Sequence, residues 1–75
     1  MQDTHGEKRI LKKLGWRIQE LRHKRGISQE KLAHAAGISR VYEGYIEQGR
    51  SSPSVGKLHR IAKHLNVPLY ELFRF

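Results

Sequence analysis

Apolar residues recur in the first third of the chain at the three- and four-residue spacing of an α-helix. Lysines and arginines occupy the positions between them, which is the pattern of a helix with one buried face. The apolar positions of this first segment are Leu11, Leu14, Ile18 and Leu21. We expect Gly26 to end the helix, because glycine readily adopts the left-handed conformation that follows a helix C-terminus.

Serines mark the starts of the later helices, since a serine hydroxyl can accept a hydrogen bond from a free amide of the first turn. Ser28 is expected to begin a second helix, which Gly37 ends. Ser39 is expected to begin a third helix that runs to about Gln48. The sequence thus predicts two short helices separated by a tight turn.

The last third of the chain repeats this pattern. Ser54 is expected to begin a fourth helix that ends at Asn66, and Pro68 to open a short fifth helix. No segment alternates apolar and polar residues as a strand does. The prediction is therefore an all-α fold of five compact helices, with a flexible basic segment over residues 1–9 and one domain over residues 10–75.

The second and third helices have the lengths and the short connection of a helix-turn-helix. Ala33 is small enough for the two helices to cross closely, and Gly37 suits the turn. Leu32 and Ile46 are expected to fill the wedge between the helices.

Four stretches carry a resemblance to a known family: ISQEKLA at 27–33, AGISR at 36–40, IEQGR at 46–50 and SPS at 52–54. With the apolar positions that follow them, they resemble the Cro and phage-repressor helix-turn-helix family, also called the XRE type. The similarity covers about residues 14–73. It implies a lambda-repressor-like fold and a transcriptional regulator, either repressor or controller, that binds a near-palindromic operator in double-stranded DNA as a homodimer.

The resemblance also implies roles for individual residues. Base-reading side chains would be Arg40, Val41 and Tyr45, and phosphate contacts would come from Gln29, Ser39, Tyr42, Gln48, Arg50 and Ser51. Arg22 and Glu47 match an internal salt bridge. The candidate dimer surface is Leu69, Leu72, Phe73 and Phe75. The alternatives are a solvated Arg40, an exposed first-turn Gln29, a filler role for Val41, and packing of the two tyrosines on a neighbouring helix.

Charge agrees with a polyanionic partner. The formal net charge is +8, and basic flanks enclose a nearly neutral middle: residues 1–26 hold eight Lys/Arg and three acids, and residues 50–75 hold five and one. Such an excess attracts nucleic acid, an acidic membrane surface or an acidic protein. The simpler alternative is that the positive charge only keeps the protein surface solvated and soluble.

Two residues depart from the family pattern. Glu43 stands where the family has an apolar core residue, so it must pair with a cation, tilt outward, or belong to a rotated helix. Our hypothesis is a pair with an arginine of the first helix. Trp16 is expected either to pack under the C-terminal helix or to form part of a partner surface. Gly44, in the third helix, can permit a close approach of DNA or of another helix.

Several functions are not expected. The five histidines include no i, i+4 pair, so we expect no metal and no cofactor. No catalytic motif is recognisable, so an enzyme is not expected. The absence of a membrane span and of cysteine fits a cytoplasmic protein, and the family resemblance implies a bacterial or phage origin. The alternatives to a DNA-binding regulator are an antitoxin with a toxin partner, a protein-interaction module that kept the fold, and a membrane-binding basic helix, which fails because its apolar face is needed for the core.

Overall fold

A long first helix supports the rest of the chain. The computed structural model describes residues 4–75, and helix α1 spans Thr4–Arg25. Its start lies six residues before Ile10, so the segment expected to be flexible over residues 1–9 is helical from Thr4 onward; residues 1–3 lie outside the described residues. The inner stripe of α1, formed by Leu14, Ile18 and Leu21, is buried as its spacing predicts.

Helices α2 (Gln29–Ala36) and α3 (Arg40–Glu47) form the helix-turn-helix. The Ser28 hydroxyl accepts a hydrogen bond from the Lys31 amide at 3.0 Å, and the Ser39 hydroxyl accepts one from the Tyr42 amide at 3.0 Å. Between the two helices, Gly37 has φ 72°, a left-handed conformation that a side chain would strain. The two serine caps and this one glycine therefore set where α3 begins and how it leaves α2.

The C-terminal third holds α4 (Val55–His64) and a 3₁₀ helix (Leu69–Phe73). The Ser54 hydroxyl caps α4 by accepting from the Lys57 amide at 3.1 Å. The described residues thus form four α-helices and one 3₁₀ helix. The segment after Pro68, expected to be a fifth α-helix, is a 3₁₀ helix instead. This more tightly wound helix is common in segments only a few residues long.

One hydrophobic core joins all five elements. Its largest fully buried apolar side chains are Ile18, Leu32, Ile46, Ile61, Leu65 and Leu72. Leu32 and Ile46 fill the wedge between α2 and α3, while Ala33 is 1% exposed. Leu72, which was expected at a dimer surface, is fully buried in this core, so that part of the prediction is wrong: the 3₁₀ helix uses it to hold the C-terminus against α1 and α4.

Residues 4–75 contain neither a helix suited to cross a membrane nor a cluster of side chains suited to hold a metal ion. None of the helices combines the length and the apolar character that a membrane span requires. No group of three His, Cys, Asp or Glu side chains there is arranged to hold a metal ion.

Candidate nucleic-acid interface

Helix α3 is two-sided. Ile46 and Glu47 face the interior, whereas Arg40, Val41 and Tyr45 face outward. Val41 is 59% exposed and Tyr45 38% exposed, so neither side chain is used in the core. The three residues predicted to read bases therefore lie on one accessible face, and packing of Tyr45 on a neighbouring helix does not account for its position.

The residues around this face differ in what their side chains already contact. Gln29, in the first turn of α2, is half-buried, and its Nε2 donates to Oε1 of Glu47 at 3.1 Å. Tyr42 is half-buried against the core, and the Lys57 ammonium lies 4.9 Å from the centre of its ring. The Ser39 hydroxyl serves as the helix cap. Gln29 and Tyr42 are therefore fixed in place beside the exposed face rather than free on the surface.

The loop after α3 completes the surface. The Arg50 guanidinium lies 4.3 Å from the centre of the Tyr45 ring and donates to Oε1 of Gln48 at 3.4 Å. Ser51 follows in the same loop and is half-buried. This stacking is favourable because the face of an aromatic ring attracts a cation. It orients both Arg50 and Tyr45 on the outward side of α3.

A buried ion pair holds α3 against α1. Arg22 and Glu47 are joined by two hydrogen bonds, from Nε to Oε2 at 2.8 Å and from Nη2 to Oε1 at 3.0 Å. The Arg22 guanidinium also donates to the carbonyl of Ile27 at 2.9 Å. The salt bridge expected from the family resemblance is therefore present. It ties the C-terminal end of α3 to both α1 and the α1–α2 turn.

Glu43 is buried without a cation of its own. It is 0% exposed, and within the described part of the chain neither carboxyl oxygen has a hydrogen-bond partner. The expected pair with an arginine of α1 is wrong, because Arg22 gives its hydrogen bonds to Glu47 and Ile27. Burial, together with the neighbouring Glu47 carboxylate, raises the pKa of Glu43 to about 9 against the weaker opposing effect of Arg22. Glu43 is therefore a neutral acid at pH 7.

The same neighbours act in the opposite direction on Glu47. Burial alone would raise the pKa of Glu47, but the neighbouring neutral Glu43 and the hydrogen bonds that Arg22 and Gln29 donate to Glu47 outweigh it and lower that pKa. A protonated Glu43 can donate to the ionised Glu47. With Glu43 neutral and Glu47 ionised, the net charge of the cluster with Arg22 is zero.

Two contacts that hold the helix-turn-helix against the rest of the fold were not predicted from the sequence. A Cβ on Gly15 would lie 2.6 Å from the carbonyl oxygen of Ile46, so only glycine lets α1 approach the end of α3 this closely. Arg60 of α4 donates to the carbonyl of Ala36 at 2.9 Å, which satisfies the C-terminal end of α2. A glycine within the helical pattern of α1 is a sequence signal of close packing, so Gly15 could have been found. Nothing in the sequence spacing indicates the contact of Arg60.

The C-terminal region exposes a set of aromatic side chains that we call the aromatic face: Trp16, Phe73 and Phe75. They are 66%, 44% and 55% exposed. Trp16 and Phe75 line one open cleft of about 370 Å³, together with Lys13, Arg17, Glu20 and Arg74. Trp16 therefore does not pack under the C-terminal helix. Leu69, which was also expected at the dimer surface, is half-buried against the core.

Comparison with known proteins places the chain in a family. The helix-turn-helix family model matches residues 18–72. The solved structure of the restriction-modification controller protein C.AhdI from Aeromonas hydrophila superposes with a TM-score of 0.85 and 38% sequence identity, covering 88% of this chain and 96% of that one.

Named relatives agree with this match. The HTH-type transcriptional regulator SutR of Escherichia coli (strain K12) is 47% identical over 51 residues, which are 68% of this chain and 29% of the relative. The ImmF control region 10 kDa protein of Bacillus phage phi105 is 43% identical over 58 residues, which are 77% of this chain and 64% of that protein. The chain thus spans under a third of one relative and about two thirds of the other.

The chain belongs to the helix-turn-helix family of DNA-binding transcriptional regulators, which are not enzymes. Within that family its fold is similar to that of the controller protein C.AhdI over almost the whole length of that protein.

Proposed function

We propose that this protein is a sequence-specific regulator of transcription that binds a near-palindromic operator in double-stranded DNA as a homodimer. The observation that carries the proposal is the outward face of α3, where Arg40, Val41 and Tyr45 remain accessible while the opposite face of the same helix is buried. An exposed helix of this kind fits the major groove of B-DNA.

The three outward residues offer different chemistry to a base pair. Arg40 can donate two hydrogen bonds to the O6 and N7 atoms of guanine, whereas Val41 can contact a thymine methyl group. Tyr45 is held by Arg50, so its hydroxyl can reach a base or a phosphate from a fixed direction. The mixture of a bidentate donor and an apolar side chain supports recognition of sequence rather than of phosphate alone.

The surroundings supply affinity that is independent of sequence. Gln29 lies at the N-terminus of α2, where free amides favour an anion, and Arg50 and Lys57 add positive charge near α3. Contacts to phosphates fix the register of a protein on the duplex. They also make binding fall steeply with salt concentration.

The aromatic face is the surface that we assign to the second copy. Phe73 and Phe75 lie with ring centres 6.5 Å apart, and Trp16 shares the cleft with Phe75. Exposed aromatic side chains are typical of protein contacts, and a two-fold dimer uses the same patch on both subunits. A two-fold pair of α3 helices about 34 Å apart would match two half-sites one DNA turn apart. If the operator lies in bacterial DNA, the protein acts in the cytoplasm, where that DNA is located.

Selection of bound sites from a random DNA pool tests the proposal. The expected product is a pair of inverted half-sites whose centres lie about one helical turn apart. A pool that shows no enriched sequence would contradict sequence-specific binding, and enrichment of single half-sites would contradict the dimer.

Sedimentation equilibrium of the free protein tests the dimer surface separately. Trp16→Ser and Phe75→Ser are expected to shift the protein toward monomer, whereas Val55→Ser, which changes an exposed apolar residue on α4, leaves the mass unchanged. A toxin or another protein that co-purified in fixed stoichiometry would favour the antitoxin alternative instead.

A further inference from the structure

Gly44 lies in the middle of α3, on the side of the helix near Gln29 of α2, in a position where glycine lowers helix stability relative to alanine. Its φ is not positive, so the backbone does not require glycine there. The residue is nevertheless buried. The absence of a side chain therefore leaves room for the neighbouring side chains that cover Gly44.

Three polar side chains cover Gly44. Arg40 and Gln48 lie four residues before and after it, so all three occupy one side of the helix. A Cβ on Gly44 would lie 3.3 Å from Nη1 of Arg40 and 3.9 Å from both Oε1 of Gln29 and Nε2 of Gln48. We call the space above Gly44 the glycine notch. The end of the Arg40 side chain lies beside this notch, and the amide groups of Gln29 in α2 and of Gln48, the residue after α3, border it as well.

We propose that Gly44 is a specificity-determining residue: by leaving the notch open, it lets the Arg40 guanidinium fold back along α3 and so fixes the direction in which that guanidinium meets a base pair. This inference rests on the proposed function, because it assumes that Arg40 reads a base. It assigns to Gly44 a positioning role, without contact between Gly44 and DNA.

The physical argument concerns the geometry of the arginine. A bidentate contact to guanine requires the guanidinium plane to be aligned with the base edge. A long side chain that is already confined loses less freedom on binding than one that moves in solvent. A methyl group at position 44 would lie 3.3 Å from Nη1, which is tighter than an ordinary contact, so the end of the Arg40 side chain would have to shift outward by a few tenths of an ångström. That shift would change the angle at which the guanidinium meets a base edge.

Gly44→Ala is the informative variant, and Gly56→Ala is its matched control. Gly56 also lies in a helix, and a Cβ there would meet only the Ser54 hydroxyl oxygen at 3.9 Å. Both substitutions replace glycine with a better helix former, so neither is expected to lower the melting temperature. Loss of folding therefore cannot imitate loss of specificity.

The experiment measures fluorescence anisotropy on an operator obtained by selection and on versions with each base pair changed. We expect Gly44→Ala to lose about tenfold in affinity for the operator, with the loss confined to discrimination at the base pair read by Arg40. Gly56→Ala should match the unsubstituted protein. The double variant Arg40→Ala/Gly44→Ala should bind no more weakly than Arg40→Ala, because Gly44 acts only through Arg40.

Two results would overturn the inference while leaving the proposed function intact. The first is that Gly44→Ala discriminates among base pairs as well as the unsubstituted protein does, while Arg40→Ala has lost that discrimination. The second is that the losses in operator affinity from Gly44→Ala and Arg40→Ala add in the double variant. If the unsubstituted protein itself discriminated among no sequences, the proposed function would fail and this inference with it.

Discussion

Arg22 of α1 and Glu47 at the end of α3 form a two-point ion pair inside the protein, with N–O distances of 2.8 and 3.0 Å. Their side chains are only 9% and 2% exposed. Because Glu47 also receives a hydrogen bond from Gln29, the pair links the helix that supports the fold to both helices of the helix-turn-helix. The orientation of the candidate recognition helix therefore depends on buried polar contacts as well as on apolar packing.

Removing the arginine should be costly. Arg22→Met leaves a buried carboxylate at Glu47 without its cation, and we expect a loss of about 3–5 kcal/mol in the free energy of unfolding. Urea denaturation followed by circular dichroism measures this. Arg25→Met, in the exposed last turn of the same helix, is the control and should change stability by less than about 0.5 kcal/mol. Similar values for both variants would show that the buried pair contributes nothing.

The buried acid predicts an unusual pH dependence. The pKa of Glu43 is raised to about 9 from 4.5 in the unfolded chain, so the folded state holds a proton that the unfolded state releases as pH rises. The contribution of Glu43 to stability is therefore fully present below about pH 4.5 and is lost as pH rises toward 9, by about 1 kcal/mol per pH unit. The lowered pKa of Glu47 acts oppositely: its contribution is present above the unfolded value and is lost as pH falls below it.

Glu43→Gln isolates this effect, because the amide is neutral at every pH and can donate to Glu47 as the protonated acid does. We expect the variant and the unsubstituted protein to have similar melting temperatures near pH 5. The variant should become the more stable of the two by pH 8. Melting curves at intervals of one pH unit measure the difference, and a difference that stayed constant from pH 5 to pH 8 would contradict a neutral Glu43.

The close approach of α1 to α3 predicts that position 15 tolerates only glycine. A Cβ at Gly15 would overlap the backbone carbonyls of Ile46 and Glu47, which are fixed in a helix and cannot yield as a flexible side chain does. Gly15→Ala should therefore lower stability by more than about 2 kcal/mol, although alanine is the better helix former. Calorimetry of this variant beside Gly56→Ala measures it; equal or higher stability in Gly15→Ala would mean that α1 can move away from α3 without cost.

The loop arginine is expected to act on affinity for all DNA and, through Tyr45, on preference at one base pair. Arg50→Gln should weaken binding to every DNA sequence, reduce the slope of log K against log salt concentration by about 1 per protomer, and lower discrimination only at the base pair nearest Tyr45. Titrations at several salt concentrations, with operator and with random DNA, measure both quantities. A selective loss for the operator, with an unchanged slope, would instead make Arg50 a base-reading residue.

Local signals made most of the helix boundaries predictable. Ser28, Ser39 and Ser54 each cap a helix, and Gly26, Gly37 and Asn66 each follow one with a positive φ, because such residues act through neighbours a few positions away. The start of α1 was less predictable, since residues 4–9 include no apolar residue and so carry no helical spacing.

Contacts between distant segments were harder to predict from the sequence. Leu72 was expected at a dimer surface, whereas the packing of the 3₁₀ helix against distant parts of the chain buries it in the core. Arg17 was not identified either, although it donates to the Glu71 backbone carbonyl and to its carboxylate at 2.8 Å and so holds that element to α1. The Arg22–Glu47 pair was predictable only through the family resemblance.

Binding of the purified protein to a selected operator, compared with a scrambled duplex of the same composition at physiological salt, tests the central claim most directly. We expect the operator to be bound at least about a thousandfold more tightly, and Arg40→Ala to reduce that ratio while its melting temperature stays unchanged. Equal affinity of the unsubstituted protein for the two duplexes would contradict the account.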